Sequence, residues 1–146
     1  EVEGKCIIWA NYQYDIRSIV SEIAKEYGGK SVAHYYGETD ANERPLIVNL
    51  FQDPDSPLRF FVGQPRTGGF GLTLTAANTV IYYSNSYDLE IRLQSEDRAH
   101  RIGQNNKVTY IDLIVPNSIE MMIISALKRK VKLSAQTLGE EAKKWL

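Results

Sequence analysis

Three side chains in the second half of the chain have the chemistry and spacing of an oxyanion-binding site. Gln94, Arg98 and Arg101 are separated by four and three residues, so a helix would place an amide and two guanidinium groups on one face. Two planar guanidinium groups can bind phosphate oxygens bidentately, which lysines do not reproduce. The spacing therefore predicts a phosphate-binding face. The alternative is a solvated helix stabilised by an Asp97–Arg101 pair.

The second candidate is the glycine-rich segment Thr67–Thr73. Its closely spaced backbone N–H groups, three of them on glycines that have no side chain in the way, could hold an anion at the carboxyl end of a strand. The alternative is a tight connection whose glycines only satisfy backbone angles. No Lys-Ser/Thr pair follows the glycines, so the segment is not a Walker A loop and is not expected to bind a nucleoside triphosphate by itself.

Apolar runs and helical periodicity predict the scaffold that would carry these segments. The expected strands cover 5–10, 31–36, 58–62, 79–83 and 108–115. The expected helices run from Ile16 to the Gly28-Gly29 pair, from a cap at Asp40, over 89–101 and over 118–133. The last helix is expected to dock through Ile119, Met122, Ile123, Ala126 and Leu127. Strands that alternate with helices predict an α/β fold, a parallel sheet sandwiched between helices, as a single domain over residues 1–146.

The composition excludes several classes of protein. Hydrophobic residues make up 43% of the chain, which is enough for a core, and no apolar run approaches the roughly 18 residues that span a membrane. Cys6, His34 and His100 are too few for a disulfide or a zinc site. Residues 1–57 carry ten acids and five bases, a net charge of −5, whereas residues 58–146 carry eight acids and twelve bases, a net charge of +4. We therefore expect an anionic ligand to bind the second half.

The two candidate segments together resemble a known family. The run Gly68–Tyr83, followed by Asp97–Gln104 (Asp-Arg-Ala-His-Arg-Ile-Gly-Gln), is similar to the C-terminal RecA-like lobe of the Swi/Snf-like ATPases, a branch of the superfamily-two helicases. Cys6–Ala10 resembles the strand of motif IV, residues 66–78 resemble motif V, and Gln94–Arg101 has the Q-x-x-x-R-x-x-R form of motif VI. Because the long insertions of chromatin remodellers are missing, compact bacterial or phage members are the closer likeness. The implied fold is RecA-like, of the P-loop NTPase type without its own P-loop.

The resemblance implies that the chain is one of the two lobes of an ATP-hydrolysing motor. In that family ATP and Mg²⁺ are bound mainly by an N-terminal lobe, while the C-terminal lobe supplies arginine fingers, which accelerate phosphoryl transfer by on the order of 10³ to 10⁵ fold. Arg101 would be the main finger, Arg98 its partner at the phosphates, and Gln94 the residue that positions them or the attacking water. Gly71 and Thr73 would border the nucleotide. No metal ligand is implied in this chain.

A DNA contact is implied as well. The backbone amides of Thr67, Gly68 and Gly69 would hold a phosphate of double-stranded DNA. The family commonly has Ser-Thr just before these glycines, where this chain has Gln64-Pro65. That hydroxyl contact is therefore missing, and Thr67 or the amides alone would have to replace it.

The expected partners are an N-terminal RecA-like lobe of the same parent chain and double-stranded DNA, with no membrane. The chain begins at Glu1 without an initiator methionine or a targeting segment, which suggests a piece of a larger protein. Its expected location is the cytoplasm of a bacterium or phage-infected cell, or the nucleus of a eukaryote. Alone it is expected to be inactive as an ATPase. Two alternatives stay open, an ATP-independent nucleic-acid-binding module and a purely structural α/β domain.

Overall fold

A computed structural model of the protein describes residues 3–67 and 72–138. The elements are β1 (Lys5–Trp9), α1 (Gln13–Tyr27), β2 (Val32–Tyr35), α2 (Glu43–Gln52), β3 (Phe60–Gly63), β4 (Ala77–Tyr82), α3 (Leu89–Asp97), β5 (Thr109–Asp112) and α4 (Ile119–Leu138). The strands form one sheet in the order β2-β3-β1-β4-β5, and each of these pairings is parallel. The predicted α/β fold with a parallel sheet is therefore confirmed.

The core lies on both faces of the sheet, with β1 at its centre. Cys6 and Ile8 belong to the apolar cluster on one face, where Ile16 of α1 also packs. Ile7 and Trp9 belong to the cluster on the other face, beneath α2 and the loop after α3. The large or tightly packed members of that second cluster include Tyr35, Phe51, Phe61, Leu74, Tyr82 and Ala99. Burial on both faces explains why the β1 sequence is a continuous apolar run instead of an alternating one.

The ends of α1 and α3 differ in how well the sequence predicts them. α1 ends at Tyr27 because Gly28 adopts a φ of +92°, which other residues rarely adopt, so the predicted glycine stop is confirmed. α3 begins after Asp88, whose carboxylate accepts a hydrogen bond from the N–H of Ile91. It ends at Asp97, and the backbone beyond forms turns. The predicted helix over 89–101 is therefore too long.

The last two elements also differ from the prediction. β5 is limited to Thr109–Asp112, and α4 extends to Leu138, past the predicted end at 133. Among residues 119–136 of α4, the buried ones are Ile123, Ile124, Leu127, Val131 and Ala135. Ile119 and Met122, which the prediction placed on the docking face, are exposed. The reason is that α4 packs near Leu89 of α3 through a narrow stripe, which covers one row of side chains at four-residue spacing.

The connection through α3 carries the chain from the carboxyl ends of the parallel strands, called the carboxyl edge below, back to their amino ends, called the amino edge. β4 and β5 are parallel, so the chain leaves the carboxyl end of β4 and returns to the amino end of β5. At about 3.3 Å per residue, the six residues of β4 separate these edges by roughly 20 Å. The segment after α3 therefore lies at the amino edge, whereas Thr67 follows the carboxyl end of β3. The expectation that ligand loops lie at the carboxyl edge therefore fits Thr67, at the start of the glycine-rich segment, and does not fit the segment after α3.

β5 forms one edge of the sheet. Several apolar side chains on this strand and just after it are exposed to solvent, namely Ile111, Leu113, Ile114 and Val115.

None of the helices in the part of the chain that the structure describes combines the length and apolar character of a membrane span.

Candidate functional site

The segment Arg98–Gln104, called the arginine loop below, leaves the end of α3 and turns back along the amino edge of the sheet. The carbonyl of Arg98 accepts a hydrogen bond of 2.9 Å from the N–H of Leu74, in the connection that leads into β4. Gly103 has a φ of +100°, and the N–H of Gln104 donates to the carbonyl of Arg101 at 3.0 Å. Arg101 therefore lies on a tight turn, which the sequence analysis had predicted to be helix.

The guanidinium of Arg101 contacts the last two residues of the glycine-rich segment Thr67–Thr73. Its Nη1 donates to the carbonyl of Leu72 at 3.1 Å and to Oγ1 of Thr73 at 3.4 Å. Arg101 and Thr73, which the resemblance assigns to the nucleotide, are thus in direct contact. Within residues 3–67 and 72–138 Arg101 forms no ion pair with Asp97. The glycines predicted to contact nucleotide or DNA lie outside the described residues, namely Gly68, Gly69 and Gly71.

Arg98 lies beside Arg101 but is largely shielded from solvent, with 8% of its surface exposed. Burial lowers the pKa of its guanidinium and the positive charge of Arg101 lowers it further, while the carboxylate of Asp97 opposes both effects. Across the described parts of the chain, its guanidinium has no hydrogen-bond or ion-pair partner. A neighbouring anion would relieve the repulsion between these two cations. The pair therefore has the electrostatics of an oxyanion site.

Gln94 does not share this arrangement. On α3 its Nε2 donates to Oε1 of Glu90, one turn earlier, at 3.1 Å. Because α3 ends at Asp97, the predicted common helical face of Gln94, Arg98 and Arg101 is wrong. The structure brings the two arginines together and directs the amide of Gln94 to Glu90.

Gln104 joins the arginine loop to the start of β4. Its Nε2 lies 2.9 Å from the carbonyl oxygen of Thr75, 3.0 Å from that of Ala77 and 2.9 Å from that of Ala99. Its Oε1 accepts a hydrogen bond of 3.0 Å from the N–H of Asn106. Gln104 ends the run Asp97–Gln104, and no role for it was predicted from the sequence. The signal that could have found it is the amide directly after a glycine turn.

Gln52 holds the same connection from the opposite side. At the end of α2, its Nε2 donates to Oγ1 of Thr75 at 3.0 Å and its Oε1 accepts from the N–H of Ala76 at 2.8 Å. Residues Thr75–Ala77, which lead into β4, are thus held by an amide from α2 and an amide from the arginine loop. Both residues were missed from the sequence, Gln52 because it lies in no charged or catalytic pattern, and Gln104 because it lies beyond the predicted face of Gln94, Arg98 and Arg101.

A third arginine, Arg92 of α3, lies in a buried ion network that was not predicted from the sequence. Its Nε donates to Oε1 of Glu96 at 2.9 Å, and its Nη1 donates to Oδ1 of Asp112 at 2.6 Å and Oδ1 of Asn85 at 2.8 Å. Its guanidinium carbon lies 3.5 Å from the ring centroid of Tyr82. Burial by itself lowers the pKa of Arg92, but the hydrogen bonds with Asp112 and Glu96 outweigh it, so the pKa is raised. Arg92 is therefore part of the core, and the i, i+4 spacing from Glu96 was its signal.

Polar side chains form a row at the carboxyl edge of the sheet. Oγ1 of Thr67 donates to Oε1 of Gln64 at 3.2 Å, and Nε2 of Gln64 donates to the carbonyl of Asn11 at 3.0 Å. The N–H of Asn11 donates to Oγ of Ser84 at 2.9 Å. Segments that follow β1, β3 and β4 thus meet in this carboxyl-edge row. Gln64, at the position where the resemblance leads us to expect a serine, is bound within the row.

Comparison with known proteins finds one family. Residues 1–103 match the family described as the helicase conserved C-terminal domain. The chain is 38% identical over 102 residues to the transcription regulatory protein SNF2 of Saccharomyces cerevisiae. It is 37% identical over 102 residues to the probable ATP-dependent DNA helicase CHR12 of Arabidopsis thaliana. Each alignment covers 70% of this chain but only 6% and 9% of those proteins, so the chain spans less than a tenth of their length.

Among solved structures, the C-terminal part of the Fun30 ATPase domain is similar. It aligns with a TM-score of 0.75 at 29% sequence identity, over 86% of this chain and 40% of that one. This similarity confirms the predicted RecA-like arrangement of sheet and helices.

Proposed function

The chain belongs to the family of helicase conserved C-terminal domains, and from this premise we propose that it is the C-terminal lobe of a DNA-dependent ATPase of the Swi/Snf type. Its task is to supply Arg101 and Arg98 as arginine fingers to ATP bound by an N-terminal lobe. One observation carries the proposal. A partly desolvated guanidinium, with no partner in the described residues, lies beside a second guanidinium that contacts Thr73.

The chemistry of phosphoryl transfer suits this pair. Charge develops on the oxygens of the transferred and leaving groups, and fixed donors that already point there stabilise it. One terminal nitrogen of Arg101 is tied to Leu72 and Thr73, which orients the rest of the guanidinium. Arg98 acts from a less polar setting, where an ionic hydrogen bond is stronger than in water. We assign Gln94 to the attacking water, once closure of the two lobes breaks its bond with Glu90.

ATP and Mg²⁺ are assigned mainly to the N-terminal lobe. The sequence contains no Walker A lysine, and residues 3–67 and 72–138 contain no group of three or more His, Cys, Asp or Glu side chains that could hold a metal ion. Bound Mg²⁺ would neutralise charge on the β- and γ-phosphates. This chain would contribute the guanidinium groups and the border formed by Gly71 and Thr73.

Double-stranded DNA is assigned to the carboxyl-edge row. Thr67, with the amides of Gly68 and Gly69, would bind a backbone phosphate, because hydroxyl and N–H donors at the end of a strand suit an anion. Thr67, Gln64 and Ser84 of this row belong to the half of the sequence that carries a net charge of +4, from twelve bases and eight acids. The partner kinds are thus an N-terminal lobe near the arginine loop and a DNA backbone at the opposite edge.

The test is the Arg101→Ala substitution in the complete two-lobe motor. We expect DNA-stimulated turnover to fall on the order of 10³-fold or more, because a transition-state contact is lost. ATP affinity should fall far less. The matched control is Arg129→Ala on the exposed surface of α4, which should leave turnover unchanged. Full turnover in the Arg101 variant would remove the catalytic assignment.

The second candidate function is an ATP-independent nucleic-acid-binding module. It would bind DNA equally with and without ATP in the complete protein, and Arg101→Ala would leave that binding unchanged.

The relatives described above come from a yeast and a plant, and a nuclear location would suit a eukaryotic parent. A bacterial or phage origin, with a cytoplasmic location, stays a prediction from the compact sequence.

A further inference from the structure

We infer that Gln104 is a positioning residue for Arg101, which rests on the proposed function of that arginine. Three residues of the arginine loop form hydrogen bonds with the Leu72–Ala77 segment. The carbonyl of Arg98 accepts from Leu74 N–H, Arg101 donates to the carbonyl of Leu72, and Gln104 donates to the carbonyl of Thr75. The side chain of Gln104 provides the last of these contacts along the segment.

The position of Arg101 depends on these hydrogen bonds, because α3 ends before Arg101. α3 ends at Asp97, so no further helical turn fixes the backbone around Arg101. The turn that carries Arg101 closes through the N–H of Gln104, at 3.0 Å from the Arg101 carbonyl. The Gln104 side chain then ties this turn to the backbone of Thr75, Ala77 and Ala99 at 2.9–3.0 Å. One residue therefore forms both the closing contact of the turn and its attachment to the sheet.

Removing the Gln104 amide has two consequences. The carbonyls of Thr75 and Ala77 lose a donor, and the turn loses its attachment to the first residue of β4. The Gly103 backbone, at a φ of +100°, then has less to hold it in this conformation. Arg101 would remain in the sequence but would sample several positions. Misplacement of a catalytic group by about 1 Å can lower a rate by roughly 100-fold.

The experiment compares Gln104→Ala with Gln52→Ala in the complete two-lobe motor, at a temperature where melting curves show both variants folded. Gln52 contacts the same Thr75 segment from α2 without touching the arginine loop. We expect Gln104→Ala to lower kcat about ten- to 100-fold while the KM for ATP changes less than about threefold. Gln52→Ala should keep most of kcat. If Gln104→Ala does not fold, Gln104→Met replaces it, because it keeps the side-chain volume and removes the donors.

A double-mutant cycle with Arg101→Ala separates positioning from general damage. If Gln104 acts through Arg101, adding Gln104→Ala to the Arg101→Ala variant should lower kcat no further. An additive loss, an equal loss in Gln52→Ala, or an unchanged kcat in the single Gln104 variant would overturn the inference. Failure of the proposed function has a different signature, since Arg101→Ala itself would then keep full turnover.

Discussion

Replacing Arg92 with methionine should destabilise the fold far more than replacing either arginine of the loop. The Arg92 guanidinium donates to Glu96, Asp112 and Asn85 and stacks on Tyr82. Arg92 and Glu96 side chains are each 3% exposed, and that of Asp112 is 9% exposed. Methionine keeps most of the volume of the side-chain stem, so the substitution removes mainly the charge and the donors.

The size of the effect follows from what stays behind. Without Arg92, the two carboxylates of Glu96 and Asp112 remain buried without their cation. Removing one partner of a buried ion network destabilises proteins by about 3–5 kcal/mol. For a chain of this size that corresponds to a fall in melting temperature of roughly 9–15 °C, at about 3 °C per kcal/mol.

Urea unfolding followed by circular dichroism measures this loss, with Arg101→Met as the matched control because that guanidinium is exposed. The control should change the free energy of unfolding by less than about 1 kcal/mol. A triple variant, Arg92→Met with Glu96→Gln and Asp112→Asn, should recover much of the stability, because neutral side chains remove the uncompensated charge. A loss below about 1 kcal/mol in Arg92→Met, or no recovery in the triple variant, would refute this reasoning.

Five further outcomes are expected. The 146-residue chain alone should hydrolyse no ATP above background in a coupled assay, because it has no Walker A lysine, and robust turnover by pure protein would contradict a split site. Its binding to labelled duplex should be weak, indifferent to base sequence and strongly reduced by salt, and a marked sequence preference would count against backbone recognition. In the complete motor, Arg101→Lys should not restore turnover relative to Arg101→Ala, because a lysine lacks the planar fork, so near-normal activity would rule out bidentate binding. Burial raises the pKa of Cys6 from 9.0 to about 12, so the native thiol should resist a disulfide reagent at neutral pH. Because the folded protein keeps the Cys6 proton to higher pH than the unfolded chain does, the free energy of unfolding is unaffected below pH 9 and falls as pH rises towards 12. Urea unfolding measured at several pH values in that range would detect this fall.

The order of strands and helices could be predicted because it is written in local patterns. The apolar run of β1 and the glycine after α1 each act through a few neighbouring residues, and the structure contains both features. The parallel arrangement follows from the alternation of strands and helices. The order of strands within the sheet needs long-range pairing, which a single sequence does not display.

The site could be predicted only in part, because three arginines close together in sequence have different surroundings. Arg92 is buried among carboxylates from α3 and β5, Arg98 is shielded beside another cation, and Arg101 is exposed on a turn. The helical spacing that linked Gln94 to the arginines fails because the carbonyl of Arg98 bonds to Leu74 instead of continuing the helix. A contact between segments far apart in sequence overrides local periodicity there.

The exposed edge formed by β5 has a consequence for work with the isolated chain. Beyond β5, at Leu113–Val115, the backbone carries apolar side chains that face solvent, and a strand at a sheet edge is a template for pairing with another chain. Concentrated samples of the isolated chain should therefore associate edge to edge and, on longer storage, form β-rich aggregates. A lysine in place of Ile111, which lies on β5 and is 37% exposed, would place a charge on that edge and raise the concentration at which the chain stays monomeric.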